Sequence, residues 1–144
     1  MLLALVLYLS PYALVDIPQA VAAADSEKLK AAGIATTDDL LARAANPRAR
    51  KELAQKTRLD EKKLKTYVEM ADLLRIPGVG PDMVRLFGAA RVHTTRELAQ
   101  KDAKKFYDAV MAVNDKQKVS QNPPEEKSIA AWIEKAKELP QVLK

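Results

Sequence analysis

The sequence predicts an all-α fold, a compact helical bundle built from two similar tandem units. Three observations carry that expectation. The 144 residues include only four glycines and 5 % aromatics, are rich in alanine, leucine and lysine, and show no alternating stretch that would suggest a strand. Apolar residues recur at helical spacing in Leu64, Tyr67, Val68, Ala71 and Leu74, and again in Ile129, Trp132, Ile133, Ala136 and Leu139, each set forming one buried stripe. The two sets superpose, Tyr67 on Trp132, and upstream Ile34 falls on Val92, Thr36-Thr37 on Thr94-Thr95 and Leu40 on Leu98. Self-similarity of this kind means two copies of one small helical unit. Tyr67 and Trp132 are read as core anchors, not as platforms for stacked bases.

Local signals place the elements in order. Residues 1–24 form an apolar N-terminal segment without Lys or Arg, and small residues at Ala20-Val21-Ala22 and Ala22-Ala23-Ala24 give it the pattern of a secretory signal. The basic residues that usually precede such a core are missing. Export is the expectation, with a cytoplasmic protein and a buried N-terminal helix as the alternative. No transmembrane helix is expected, because about 20 apolar residues are needed to span and Pro11, Asp16 and Pro18 interrupt the run. The first helical unit, residues 25–75, holds Gly33 just past a helix, a capping box at Thr36 and Asp39, and helix starts at Asn46-Pro47 and Asp60. The second unit, residues 76–144, repeats the capping box at Thr94 and Glu97. It has Arg91 in the place of Gly33, which predicts a different helix ending there. Residues 114–126 read as a polar loop that carries an insertion, and a last helix runs over about 125–139 to Pro140.

The most informative stretch is Arg75-Ile76-Pro77-Gly78-Val79-Gly80-Pro81, two glycines around one apolar residue between two helical runs. Glycine permits positive φ and close backbone approach, and Pro81 suits the first turn of the helix that follows. The unpaired amides of such a turn favour an anion. Gly78, Val79, Gly80, Pro81 and Asp82 are therefore the candidate DNA phosphate-binding residues, with Arg75, Arg85 and Arg91 as nearby cations. A turn of this kind also serves as plain packing, and that reading stands beside the first. In the first copy Ala20 and Ala22 replace both glycines, so phosphate cradling is expected to be lost there.

Charge and chemistry narrow the function. The formal net charge of +5 and pI near 9.4 permit binding to nucleic acid without requiring it. Arg43, Arg48, Arg50, Lys51, Lys56, Arg58, Lys62, Lys63 and Lys65 face few acids, as a solvated helix face does. Cysteine is absent, and the single histidine, His93, reads as an exposed residue before a helix cap. Asp38-Asp39 and Glu125-Glu126 sit at helix starts, where acids complement the dipole. No catalytic residue, metal site or cofactor is expected, and the protein reads as no enzyme.

The stretch from Glu27 to Ala44, the stretch Met70-Ala71-Asp72-Leu73-Leu74-Arg75-Ile76-Pro77-Gly78-Val79-Gly80-Pro81-Asp82, and Ala131-Trp132-Ile133-Glu134-Lys135-Ala136 together resemble domain-of-unknown-function family 4332. The resemblance covers about residues 17–139. It implies tandem helix–hairpin–helix units similar to those of DNA polymerases and topoisomerases, and it implies no established activity. Ala20, Ala22 and Arg91 depart from the family's usual glycines. Two functions follow as expectations: weak, non-sequence-specific DNA binding through the phosphate backbone, or an exported helical scaffold with a protein partner and structural hairpins.

Overall fold

The computed structural model describes residues 11–144. The apolar run at residues 2–9, on which the secretory reading rests, lies outside the described residues. After a short 3-10 turn, Leu14–Asp16, the chain forms α1 (Ala23–Ala31), α2 (Thr37–Ala44), α3 (Pro47–Thr57), α4 (Glu61–Leu73), α5 (Pro81–Ala89), α6 (Thr95–Ala99), α7 (Ala103–Gln117) and α8 (Glu126–Glu138). Among the described residues the only β pairing is a single antiparallel bridge between Ala13 and Thr36. The all-α expectation holds. In space α2, α3 and α4 pack on one another, and α8 packs on α6 and α7 while α5 packs on α7.

Most helix starts follow from side chains that satisfy first-turn amides. Thr36 accepts from the Asp39 amide at 3.1 Å, and the Asp39 carboxylate accepts from the amides of Ala35 and Thr36 at 3.0 and 3.2 Å. In the matching place Thr94 accepts from Glu97, whose carboxylate accepts from the amide of exposed His93, the counterpart of Ala35, at 3.0 Å but not from the Thr94 amide, so the capping box expected there is only half made. Asn46 caps α3 with Pro47 at its first position, and Asp60 caps α4 through the amides of Lys62 and Lys63.

Two expectations need correction. Arg91 does not end α5 differently: its φ is +65°, beside +85° at Gly33. The same closing bonds form at both places, Ile34 to Leu29 and Val92 to Phe87, each at 2.9 Å. Ile34 and Val92 are both fully buried. Seating an apolar residue in the core offsets the ~1–2 kcal/mol that a left-handed non-glycine residue costs. Arg58 and Lys118 take the same conformation after α3 and α7. The polar loop also begins later than expected, because α7 continues to Gln117. Asn114 then pins the chain that follows, accepting from the Ser120 amide at 2.9 Å and donating to the Ser120 carbonyl at 3.0 Å.

One continuous core runs from the 3-10 turn to α8. Its first members are Leu14, Ile17, Ala20 and Val21, which belong to the stretch whose pattern suggests a cleavable leader. Tyr12 accepts from the Thr37 amide and Leu14 donates to the Ala35 carbonyl, each at 2.9 Å, so this segment is tied to the start of α2. Tyr67 is buried as expected. Trp132 is only half-buried and lies edge-on to Phe87, ring centroids 5.8 Å apart. No helix among the described residues is long and apolar enough to cross a membrane.

Candidate nucleic-acid interface

Helix α4 runs almost directly into the hairpin. Arg75 and Ile76 close a turn onto Asp72 and Leu73, and the Val79 amide closes a second one onto the Ile76 carbonyl at 3.1 Å. Val79 points inward and is 2 % exposed, so the apolar residue between the glycines is the plug its position suggested. Gly78 has a φ of +88°, which only glycine adopts without strain, and a Cβ there would stand 3.0 Å from the Trp132 indole nitrogen. Gly80 is different. It is the N-cap of α5 at φ −99° and ψ 179°, ordinary extended backbone, and a Cβ added to it would meet no atom within 4 Å. Its side of the turn is therefore open, and no side chain caps α5. Val84 is the first residue of α5 to donate back into the helix, to Gly80, so the amides of Asp82 and Met83 have no intrahelical acceptor. Pro81 contributes no amide and fixes the helix entry.

The cations proposed from sequence separate. Arg75 is committed internally: it donates to Asp72 at 2.7 Å and to the Pro140 carbonyl at 2.7 Å, so its guanidinium joins the α4 end to the C-terminal segment instead of facing a ligand. Arg85 is exposed, one turn along α5. Arg91 is exposed at the opposite end of the nine-residue helix, about 13 Å away at 1.5 Å per residue. Asp82, placed here for its amide, also brings an exposed carboxylate into the first turn, where it complements the dipole and repels an anion.

The corresponding turn before α1 is closed chemically. Val21 plugs it as Val79 plugs the hairpin, both at 2 % exposure. The start of α1 is filled by Asp25, which accepts from the Tyr67 hydroxyl and pairs with Lys63 Nζ at 2.9 Å. A built-in carboxylate thus occupies the turn that lacks glycines. Under the repeat the counterparts are Met83, Trp132 and Ser128, which reproduce neither the charge nor the pair. Sequence reasoning missed this cluster. Its signal was the acid at Asp25 where the other copy has Met83. The buried Asp72 was missed as well. It accepts from the Thr95 amide at 2.8 Å and hydroxyl at 2.9 Å, and an acid inside an apolar run with Arg75 three residues on was the available clue.

The Asp25 cluster makes stability depend on pH. Burial pushes the Asp25 carboxyl upward, but the hydrogen bond from Tyr67 and the pair with Lys63 outweigh it and hold the pKa below the usual 3.8. A depressed folded-state value means stability that is present above the usual carboxylate range and lost as pH falls through the folded value. Asp39 has the same sign, held down first by the Ala35 amide. Glu69 has the opposite sign, because burial raises its carboxyl above the usual 4.5 and stability improves as it protonates. Tyr67→Phe isolates Asp25 from these two. It should cost about 1.5–3 kcal/mol at pH 7, the range for a hydrogen bond to a charged group, and progressively less as pH falls below the usual carboxylate range and the carboxyl takes up its proton. Urea unfolding across an acid pH series measures the difference, and a cost that does not change with pH would show that Asp25 is not held ionised by Tyr67.

Among the described residues no group of His, Asp or Glu stands together as metal ligands would. No curated protein and no solved structure matches the chain. One family model, described as a domain of unknown function (DUF4332), matches residues 19–139, and the chain belongs to that family.

Proposed function

We propose that the protein is a non-enzymatic helix–hairpin–helix module that binds the phosphate backbone of DNA weakly and without sequence preference. The observation that carries the reading is the open start of α5: an uncapped Gly80 with empty space beside it and unpaired first-turn amides. Backbone amides at a helix start hold a phosphate but carry no base information. Arg85, exposed one turn along α5, supplies a cation. With so few contacts, the dissociation constant should be no tighter than the order of 10⁻⁶ M at physiological salt. A specific observation favours the competing reading, an exported helical scaffold with structural hairpins: Arg75 is committed to Pro140 and Asp82 stands at the helix start.

Two glycine substitutions decide between them. Gly80→Val adds a side chain in open space at a permitted φ, so the fold should survive while approach of a phosphate is blocked. Gly78→Val should instead lower stability, by forcing a β-branched residue to positive φ against Trp132. Affinity for unrelated duplexes should be equal in the wild type and undetectable in Gly80→Val. If the wild type binds no duplex or single strand at low salt, the scaffold reading stands.

A further inference from the structure

We propose that the cleft between α4 and the C-terminal segment is a second phosphate-binding site, which takes a phosphodiester of a nucleic-acid strand. The proposal rests on the nucleic-acid reading above but uses none of the hairpin residues. The cleft encloses about 180 Å³ and is lined by Arg50, Lys65, Glu69, Thr94, Arg96 and Lys144, among others. One wall is the C-terminal segment, tied down at both ends: Pro140 accepts from Arg75 at 2.7 Å, and the Lys144 amide donates to the Ala45 carbonyl at 3.1 Å. The concavity is therefore assembled from distant parts of the chain and belongs to the folded state.

Its charge is unbalanced. Arg50 comes from α3, Lys65 from α4 and Arg96 from α6, and among the described residues none of them pairs with a carboxylate. Arg50 is also pre-positioned, because its Nη1 donates to the carbonyls of Ala44 and Ala45 at 3.2 and 3.1 Å and the rest of the guanidinium is left over. Two acids line the same space. Asp72 is neutralised by Arg75 and saturated by Thr95. Glu69 alone opposes the cations. Its carboxyl is raised above the usual range by burial and drawn back by the Lys65 and Arg50 charges, so it competes with a phosphate for the same two cations.

The cleft does not stop at one anion's worth of room. A second concavity of about 650 Å³ is lined by Pro47, Arg50, Asp60, Glu61, Lys62 and Lys65, and so shares Arg50 and Lys65 with the first. Asp60 there is occupied by the amides of Lys62 and Lys63, and exposed Glu61 is the one further carboxylate set against Arg50, Lys62 and Lys65. A pair of cations common to two adjoining hollows suits a chain of phosphates running past both. The basic run around α3 and α4, which reads from sequence as a solvated face, would in part be this contact.

The test is fluorescence anisotropy of the full chain with a labelled oligonucleotide, titrated across a salt series. The Lys65→Ala/Arg96→Ala double variant should weaken binding about tenfold and flatten the salt dependence by roughly 0.7–0.9 per cation removed. Glu69→Gln should tighten binding severalfold, a gain that no loss of folding can imitate. If the double variant binds like the wild type while Gly80→Val does not bind, the cleft assignment falls and the hairpin reading survives. If Gly80→Val binds normally and the double variant is weak, the cleft stands and the hairpin reading falls. Inorganic phosphate is the remaining probe: amide shifts at Thr94 and Thr95 with phosphate, and no response to any oligonucleotide, would overturn the nucleic-acid assignment.

Discussion

A chain that begins at Ala23 should lose most of its stability relative to the full chain. Such a cut removes Leu14, Ile17 and Val21, each no more than 2 % exposed, together with the bridge that ties Ala13 to Thr36. Burying a large aliphatic side chain is worth about 1.5–3 kcal/mol, so three of them amount to roughly 5–9 kcal/mol. Single domains have only about 5–15 kcal/mol in total. The bonds from Tyr12 and Leu14 to Thr37 and Ala35 disappear as well, and Ser26 loses its acceptor at the Leu14 carbonyl. Circular-dichroism melting of residues 23–144 should show a midpoint lower by at least ~15 °C, or no cooperative transition at all. A midpoint within about 3 °C of the full chain would show that this segment contributes little. The result bears on export. A peptidase cutting among Ala20, Ala22 and Ala24 would release a destabilised protein, whereas a cut before Tyr12 would leave the described core whole.

Why the leader pattern and the core coincide is a matter of composition. A secretory signal and a buried segment both need small and aliphatic residues without charge, and residues 12–24 carry only Asp16. Pattern alone cannot tell which demand selected them. Elsewhere the sequence was more legible, because the relevant signals were local. Thr36 with Asp39 and Asn46 with Pro47 mark helix starts through their nearest neighbours, and helical spacing gives the α4 and α8 stripes directly. Arg91 misled because its local cost was weighed without the burial of Val92 that offsets it. The hairpin was legible as a turn, yet the unequal roles of its glycines were not. Gly78 is set by positive φ and by Trp132, which is distant in sequence, while Gly80 is set by neither. The internal bond of Arg75 was hidden for the same reason, since its partner at Pro140 is brought near only by the return of α8. Of the cleft, with walls from α3, α4, α6 and the C-terminal segment, only the basic run holding Arg50 and Lys65 was visible in sequence, and nothing local joined it to Arg96.

Tyr67→Ala should be the more damaging substitution of the two aromatics that the repeat places in register, at about 3–5 kcal/mol. Tyr67 is 5 % exposed, and its truncation opens a cavity between α4 and α1. It also leaves the Asp25 carboxylate, itself only 8 % exposed, with Lys63 as its remaining partner. Losing a hydrogen bond to a buried charge adds to the cavity cost. Trp132→Ala should cost less, near ~3 kcal/mol, because the indole is half-buried and its removal uncovers Phe87 and the Gly78 turn to water instead of sealing a void. The pair separates the two turns. Tyr67→Ala should lower the midpoint in urea without touching the second, whereas Trp132→Ala should also loosen Gly78, seen as faster amide exchange at Val79 and Gly80. Combined with the Tyr67→Phe result, the difference between Tyr67→Ala and Tyr67→Phe at pH 7 gives the packing part alone. Should Trp132→Ala prove as costly as Tyr67→Ala, with no change of exchange at the turn, then Trp132 acts as a core anchor, as its place in the repeat first implied, and the support it gives to the Gly78 turn is absent.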